Sequence, residues 1–332
     1  MKINLLIILL ILFLLPVNYI PAQQLYVNQN NSIKNLPHDI SWQQVLSNSK
    51  DIYSVGYKND DMFLFNLLTE TTIKFEKIKK TKVVFLSSEN IYIASMDITE
   101  NKYIVDQYSY DKKLIKSINI PNQSTITGYF IYPIHKTFYY ICINLDNFMS
   151  SESNLMISGN VVSSNNFKEI YRFEYEQNAM PTRLTLPIAS TYKNKLYFAL
   201  ENNYKVGIFS LKGEKLFEFT NPKFKNKPYT KEEINLLNPI QQSVLEAGKS
   251  YPPIIRRIDI NSLEQIYITR LSRPGVSNLE IDVWNQKGKF LNTFSLTIKE
   301  KIIDSILIDD DTYCCLLSAD DNHYLIKTFK LK

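Results

Sequence analysis

The sequence predicts an all-β protein, a six-bladed β-propeller with four-stranded blades, and three observations carry that prediction. The first is a recurring pair, an apolar residue or Thr followed by Tyr: Ile52-Tyr53, Ile91-Tyr92, Phe138-Tyr139, Leu196-Tyr197, Ile266-Tyr267 and Thr312-Tyr313. Successive tyrosines are 39, 47, 58, 70 and 46 residues apart. The second is a common order of short apolar or alternating runs around each pair. Self-similarity at such periods, with four strands to the unit, marks a propeller. A β-sandwich also spaces its strands evenly, but it does not repeat one strand order unit after unit. The third observation is closure. The last unit has strands at 302–308, 312–317 and 324–331 and then reaches Lys332, one strand short. Leu25-Tyr26-Val27 and Ser32 to Leu36 precede the first unit with no partner of their own. An N-terminal strand completing the last blade would remove an open sheet edge.

The unit is clearest in its fifth copy. A strand over 254–260 meets a turn at Asn261-Ser262-Leu263-Glu264, and a second strand follows over 265–269. After a loop come a third strand over 279–284, a tight turn at Gln286-Lys287-Gly288, and a fourth strand over 290–296. The second copy repeats the order at 82–86, 90–94, 103–110 and 114–120. The fourth carries Ile208-Phe209-Ser210-Leu211-Lys212-Gly213 as its third strand and turn. With 32 Asn and only 8 Gly, the turns are expected to be built on Asn. One stretch is not β. Thr230 and Glu233 have the spacing of a capping box, and Asn238-Pro239 places a cap before Pro at the first helical position. This predicts two short helices, 231–237 and 239–247, with Gly248 as the stop, inside an insertion at 223–252 between the fourth and fifth blades.

The first 22 residues have a different character. Met1-Lys2 leads into an unbroken apolar run of 11 residues, Leu5 to Leu15, and Ala22 offers a small residue for cleavage. That is the pattern of a secretory signal peptide, and the run is shorter than the ~20 apolar residues of a spanning helix. The expected organisation is therefore a leader, 1–22, and a propeller, 23–332. The mature protein is expected to be exported, to the periplasm, the cell surface or the medium, and not to be an integral membrane protein. Three cysteines, Cys142, Cys314 and Cys315, sit in strand-like runs and read as small buried apolar residues. Adjacent Cys314 and Cys315 should point to opposite faces of one strand.

The segments Tyr229-Thr230-Lys231-Glu232-Glu233, Pro252-Pro253-Ile254-Ile255, Ile258-Asp259-Ile260 and Gln265-Ile266-Tyr267-Ile268 resemble the six-bladed propellers of the NHL-repeat-like class found in bacterial secreted and envelope proteins. The usual Asp-x-x-Gly turn is changed here, since Asp259 is followed by Asn261, Ser262 and Leu263 without the Gly. The resemblance implies a recognition scaffold and leaves the ligand open.

Chemical motifs are sparse. His38, His135 and His323 are isolated in sequence, and neither Asp309-Asp310-Asp311 nor Asp320-Asp321 has the frame of a calcium loop, so both read as solvated turns. No cofactor and no metal site are expected. The excess of 38 basic over 33 acidic residues forms no stripe, which argues against nucleic-acid binding. Some six-bladed propellers are calcium-dependent hydrolases or lactonases working in the central channel. Asp304 could face such a channel, but no Glu and Asn partners align with it. The expected function is therefore a non-catalytic scaffold binding a protein or glycan partner. Only six Arg occur, and Arg256, Arg257, Arg270 and Arg273 lie within 18 residues. Arg270 and Arg273 fall in a loop on the face that also carries the 223–252 insertion and the segment 146–153. Planar guanidinium donors suit carboxylate or phosphate, so the four are the candidate ligand-binding residues for an anionic group.

Overall fold

The computed structural model describes residues 33–331 with breaks at connecting segments, and the backbone of Leu25–Tyr26. Outside the description lie residues 1–24 and 27–32, the loops at 77–81, 98–101, 121–125, 145–153, 164–168, 179–186 and 201–203, and some shorter stretches; from 121 to 187 only strand backbone is described. The leader, the loop at 146–153, His135 and the Cys142 side chain therefore fall outside the described residues.

Two short strands come first, β1 (Leu25–Tyr26) and β2 (Ile33–Asn35). Sheet I holds β3 (Ser41–Ser47), β4 (Ile52–Lys58), β5 (Asp61–Asn66) and β6 (Thr72–Phe75). Sheet II holds β7 (Lys82–Leu86), β8 (Asn90–Asp97), β9 (Lys102–Ser109) and β10 (Leu114–Ile120). The backbone of β11 (Ile126–Ile134), β12 (Thr137–Asn144), β13 (Asn154–Ser163) and β14 (Glu169–Asn178) pairs as a further four-stranded sheet, III. Sheet IV holds β15 (Pro187–Tyr192), β16 (Lys195–Leu200), β17 (Lys205–Ser210) and β18 (Lys215–Thr220). Sheet V holds β19 (Ile255–Ile260), β20 (Ile266–Arg270), β21 (Asn278–Trp284) and β22 (Phe290–Thr297). Sheet VI holds β23 (Lys301–Leu307), β24 (Thr312–Ser318) and β25 (Tyr324–Lys330). Each runs up and down in antiparallel order, so the protein is an all-β propeller of four-stranded blades with almost no helix. Five blades, I, II, IV, V and VI, are described down to their side chains. That is one packed blade fewer than the six expected; sheet III is known by its backbone pairing alone.

The core is not one centre but a series of wedges between neighbouring sheets. Tyr53, Val55, Leu64, Val84 and Ile91 fill the wedge between I and II. Val206, Phe219, Ile258, Ile266 and Trp284 fill that between IV and V, and Ile281, Val283, Tyr313 and Cys315 that between V and VI. Trp42, Val45, Cys314 and Leu316 join VI to I. Fully burying one such side chain stabilises by about 1.5–3 kcal/mol, so apolar packing in each of these wedges holds its two sheets together. The two cysteines do point to opposite wedges. Burial pushes the Cys314 thiol up to about 12 and Cys315 well above its usual range, which makes both inert packing groups.

The repeated tyrosines fall in the second strand of all six sheets. Tyr53, Tyr197 and Tyr267 are buried against the next sheet in chain order. Tyr313 faces backward, sharing the V–VI wedge with Tyr267. One residue of slip exchanges the two faces of a strand, so the sixth copy is out of phase with the others, and Cys314 holds the position that matches Tyr267.

Two expectations need correction, and a third is refined. The outer strand of sheet VI is β2 alone, paired antiparallel with β25 through Ile33↔Lys327 and Asn35↔Leu325. Leu25–Tyr26 instead runs parallel to β22 on the outer edge of sheet V. The insertion at 223–252 is mostly irregular: its helical content is α1 (Lys231–Asn235) and α2 (Pro239–Val244), each only a turn or so long. Thr230 and Glu233 form the reciprocal cap, but α2 ends at Leu245 in extended backbone, and Gly248 donates its N–H to Tyr229 O (3.0 Å), closing the link on itself. The refinement concerns asparagine: it builds turns as expected, through its side chain rather than through left-handed backbone. Asn48, Asn66, Asn261 and Asn285 accept from backbone N–H groups two to four residues on. Among the described residues, the non-glycine left-handed positions are Asp39, Glu70, Lys112, Lys193 and Glu264, with Asn59 the single asparagine.

Candidate binding sites in the channel and on the loop face

The innermost strands β3, β7, β15, β19 and β23 enclose a central cavity of about 600 Å³. Three of them break their pairing register at the same level. Gln43 in β3, Arg256 in β19 and Ile303 in β23 are each an extra residue against the partner strand. A bulge re-aims side chains, and here both Gln43 and Gln44, both Arg256 and Arg257, and both Ile303 and Asp304 line the cavity.

The bulges bring four charges together. Asp304 Oδ2 accepts from Val45 N–H (2.9 Å), and its oxygens lie 3.7 Å from Arg256 and 4.0 Å from Arg257. Arg256 also donates to Ile303 O. Arg257 Nε donates to Asp259 Oδ1 at 2.8 Å, and Asp259 Oδ2 accepts from Leu307 N–H (3.3 Å) and the Tyr313 hydroxyl (3.2 Å). Burial pushes the Asp259 carboxyl up despite Arg257 beside it. Burial opposes the charge on Arg257 too, but Asp259 and Asp304 outweigh it and raise that pKa. The cluster ties sheets V, VI and I and balances two cations with two anions.

Arg270 and Arg273 sit elsewhere. Arg270 meets Glu280 at 2.6 Å and Asp282 at 3.2 Å, and lies over the Phe224 ring. Asp282 is 1% exposed and accepts from the hydroxyls of Tyr204 and Thr293 (both 2.5 Å), so removing Arg270 would strip a buried carboxylate of its cation. Arg273 holds Glu233 at 2.5 Å and the carbonyls of Lys227 (3.0 Å) and Pro228 (2.7 Å), pinning the helical link to the loop of sheet V. The four arginines therefore form two pairs in two places, each with carboxylate partners, rather than one patch.

Sequence spacing gave no hint that the His38 and His323 rings meet, with centroids 5.1 Å apart, or that His323 Nδ1 lies 2.6 Å from Asp320. Asp310 of the acidic run is a turn-to-turn tie, accepting from Ser262 N–H (2.8 Å) and Oγ–H (2.7 Å). The sequence signals for the channel cluster were Arg256-Arg257, two charges in succession where an innermost strand should alternate, and Asp304 in the first strand of the last blade.

No family model matches the chain, and no curated protein matches it. Among solved structures, a member of the DUF4221 family from Bacteroides vulgatus is similar at 9% identity and TM-score 0.57, over 93% of this chain and 99% of that one. The WD40 domain of Toxoplasma gondii coronin is similar at 9% identity and TM-score 0.49, over 93% and 89%. A luciferin-regenerating enzyme follows at 10% identity and TM-score 0.48, over 91% and 97%. The first of these places the chain in the β-propeller fold and goes no further.

Proposed function

We propose that the protein is an exported, non-catalytic propeller scaffold that binds a protein or glycan partner through the face carrying the 223–252 link. The observation that carries this reading is the link itself. Leu236 and Tyr251 are 64% and 50% exposed, large apolar side chains presented on a segment that Arg273 fixes to the scaffold. Binding residues concentrate on loops held by a rigid frame, and tyrosine is among the side chains enriched as interface anchors. On this reading Arg270 and Arg273 shape the face rather than supply its anion contacts. The ring is taken as six-bladed, sheet III standing between II and IV, because the β11 backbone lies against both β7 and β15. The kinship with NHL-repeat-like propellers is part of the same proposal.

The hydrolase alternative has one observation in its favour, Asp304 on the cavity wall. Arg256 and Arg257 beside it oppose a divalent cation at that carboxylate, so the scaffold reading is preferred. The test is capture of a partner on the mature protein, followed by the double variant Leu236→Ser and Tyr251→Ser. Lost capture at an unchanged Tm is expected; retained capture, with protection from hydrogen exchange confined to the opposite face, would overturn the reading.

A further inference from the structure

We infer that the central cavity is a binding site for a small neutral sugar, a mono- or disaccharide, held between Arg257 and Asp304. This site is independent of the loop face and does not rest on the scaffold reading.

The argument starts from what Arg257 has left to give. Its Nε–H is committed to Asp259, whose other oxygen is held by Leu307 N–H and Tyr313. Asp259 thus fixes the guanidinium plane. Among the described residues, the two Nη groups make no hydrogen bond, and the nearest carboxylate oxygen, Asp304 Oδ2, is 4.0 Å away. That gap is too long for a direct bond. An oxygen placed ~2.8 Å from both atoms would subtend an angle of about 90°, within reach of the geometry of a hydroxyl that accepts from one and donates to the other. Only a group that is donor and acceptor at once satisfies both; water does so before a ligand binds, and a ligand hydroxyl reproduces both of its hydrogen bonds.

The surroundings extend the match. Gln43 and Gln44 line the same wall, and among the described residues neither side-chain amide has a hydrogen-bond partner. Ser190 adds a hydroxyl from β15 across the cavity. The volume, about 600 Å³, is within the range of small-molecule sites. Solvent reaches the pair, with the Arg257 side chain 27% and Asp304 15% exposed. Charge decides among ligand classes. Two arginines face two aspartates, so the wall formed by the described residues is neutral overall, and an anion drawn to Arg257 would also sit beside Asp304. A neutral polyol meets no such penalty. The wedge of bulged strands adds a structural reason: three bulges at one level spend backbone pairing to turn polar side chains into the cavity, which a purely structural core does not require.

The experiment uses the mature chain and ligand-observed NMR, with glucose, galactose, mannose, N-acetylglucosamine, lactose, maltose and cellobiose as probes. Glucuronate and glycine serve as the anionic and zwitterionic comparisons. At least one neutral sugar should bind. Gln44→Ala should weaken it by about 2–10-fold, the loss of one neutral hydrogen bond, at an unchanged Tm. Arg257→Lys keeps a cation near Asp259 but loses the planar fork, and should weaken it by roughly 10–100-fold. Binding that neither variant alters, binding of glucuronate or glycine alone, or no binding by any probe would each overturn the site. Leu236→Ser with Tyr251→Ser should leave sugar binding untouched, which separates this site from the loop face.

Discussion

The two faces of the ring are built on different principles. On the face where first strands turn into second strands and third into fourth, neighbouring sheets are tied to one another. Lys193 and Lys195 of sheet IV hold Glu264 of sheet V at 2.5 and 3.0 Å. Ser262 of sheet V holds Asp310 of sheet VI, and the hydroxyl of Tyr267 reaches Asp310 O at 3.0 Å. In sheets I and II, Asn48 donates to the Tyr110 hydroxyl (2.7 Å), which donates in turn to Ser87 O (2.8 Å). On the opposite face, among the described residues, Arg273 binds a loop to its own link through Glu233. The first arrangement makes the ring a single object. The second leaves a surface that changes without loosening the ring, which is what a recognition face requires.

If that contrast holds, damage to ring closure should have the largest effect. Deleting residues 25–36 removes β2 from the edge of sheet VI and with it Leu36, which is 3% exposed. The expected loss is roughly 3–5 kcal/mol, a broadened thermal transition and aggregation through the bare β25 edge. A truncated chain that melts like the parent would show that β2 does not close the ring. Next in size is a turn-face tie. Asn261, 4% exposed, accepts from Gln265 N–H at 2.8 Å and donates to Asp310 O at 3.3 Å. Asn261→Ala should cost about 1–3 kcal/mol in global stability by denaturant unfolding, since it empties both a turn and an inter-sheet contact. No change in midpoint would mean that the faces do not differ in this way.

What could be seen in the sequence, and what could not, follows from the range of the forces involved. Strand order was legible because each strand is specified by its own neighbours: β7 and β10 fall where the runs Lys82–Leu86 and Leu114–Ile120 place them. The Thr230–Glu233 cap was legible for the same reason, being a contact three residues long. The bulges at Gln43, Arg256 and Ile303 were not, because no Gly marks them and the partner register that defines them lies on another strand. The backward-facing Tyr313 shows the same blindness, since a slip of one residue leaves the motif intact while exchanging its environment. Arg273 with Glu233 and His38 with His323 are 40 and 285 residues apart and meet only through the ring. A cluster of arginines in sequence therefore became two separate sites in space.

The smallest expected effect is confined to the loop face and is read there. Arg273→Ala should leave the global midpoint nearly unchanged while speeding hydrogen exchange over 227–245, because the three contacts it removes all belong to one link. The same contact should respond to acid. The Arg273 hydrogen bonds, acting against a small burial cost and aided by Thr230 N–H, lower the Glu233 carboxyl from 4.5 to about 2. A carboxyl whose pKa is depressed on folding contributes its stabilisation in full above its unfolded value and loses it as pH falls through the folded one. Exchange protection of α1 should therefore hold above about pH 4.5 and fade between there and about pH 2, in a window where the turn-face amide of Gln265, bonded to the non-titrating Asn261 side chain, need not follow it. In Arg273→Ala that acid-dependent step should shrink, since the largest cause of the depressed pKa is gone. An α1 that loses protection in step with the turn face, in parent and variant alike, would show that the link has no independence from the ring.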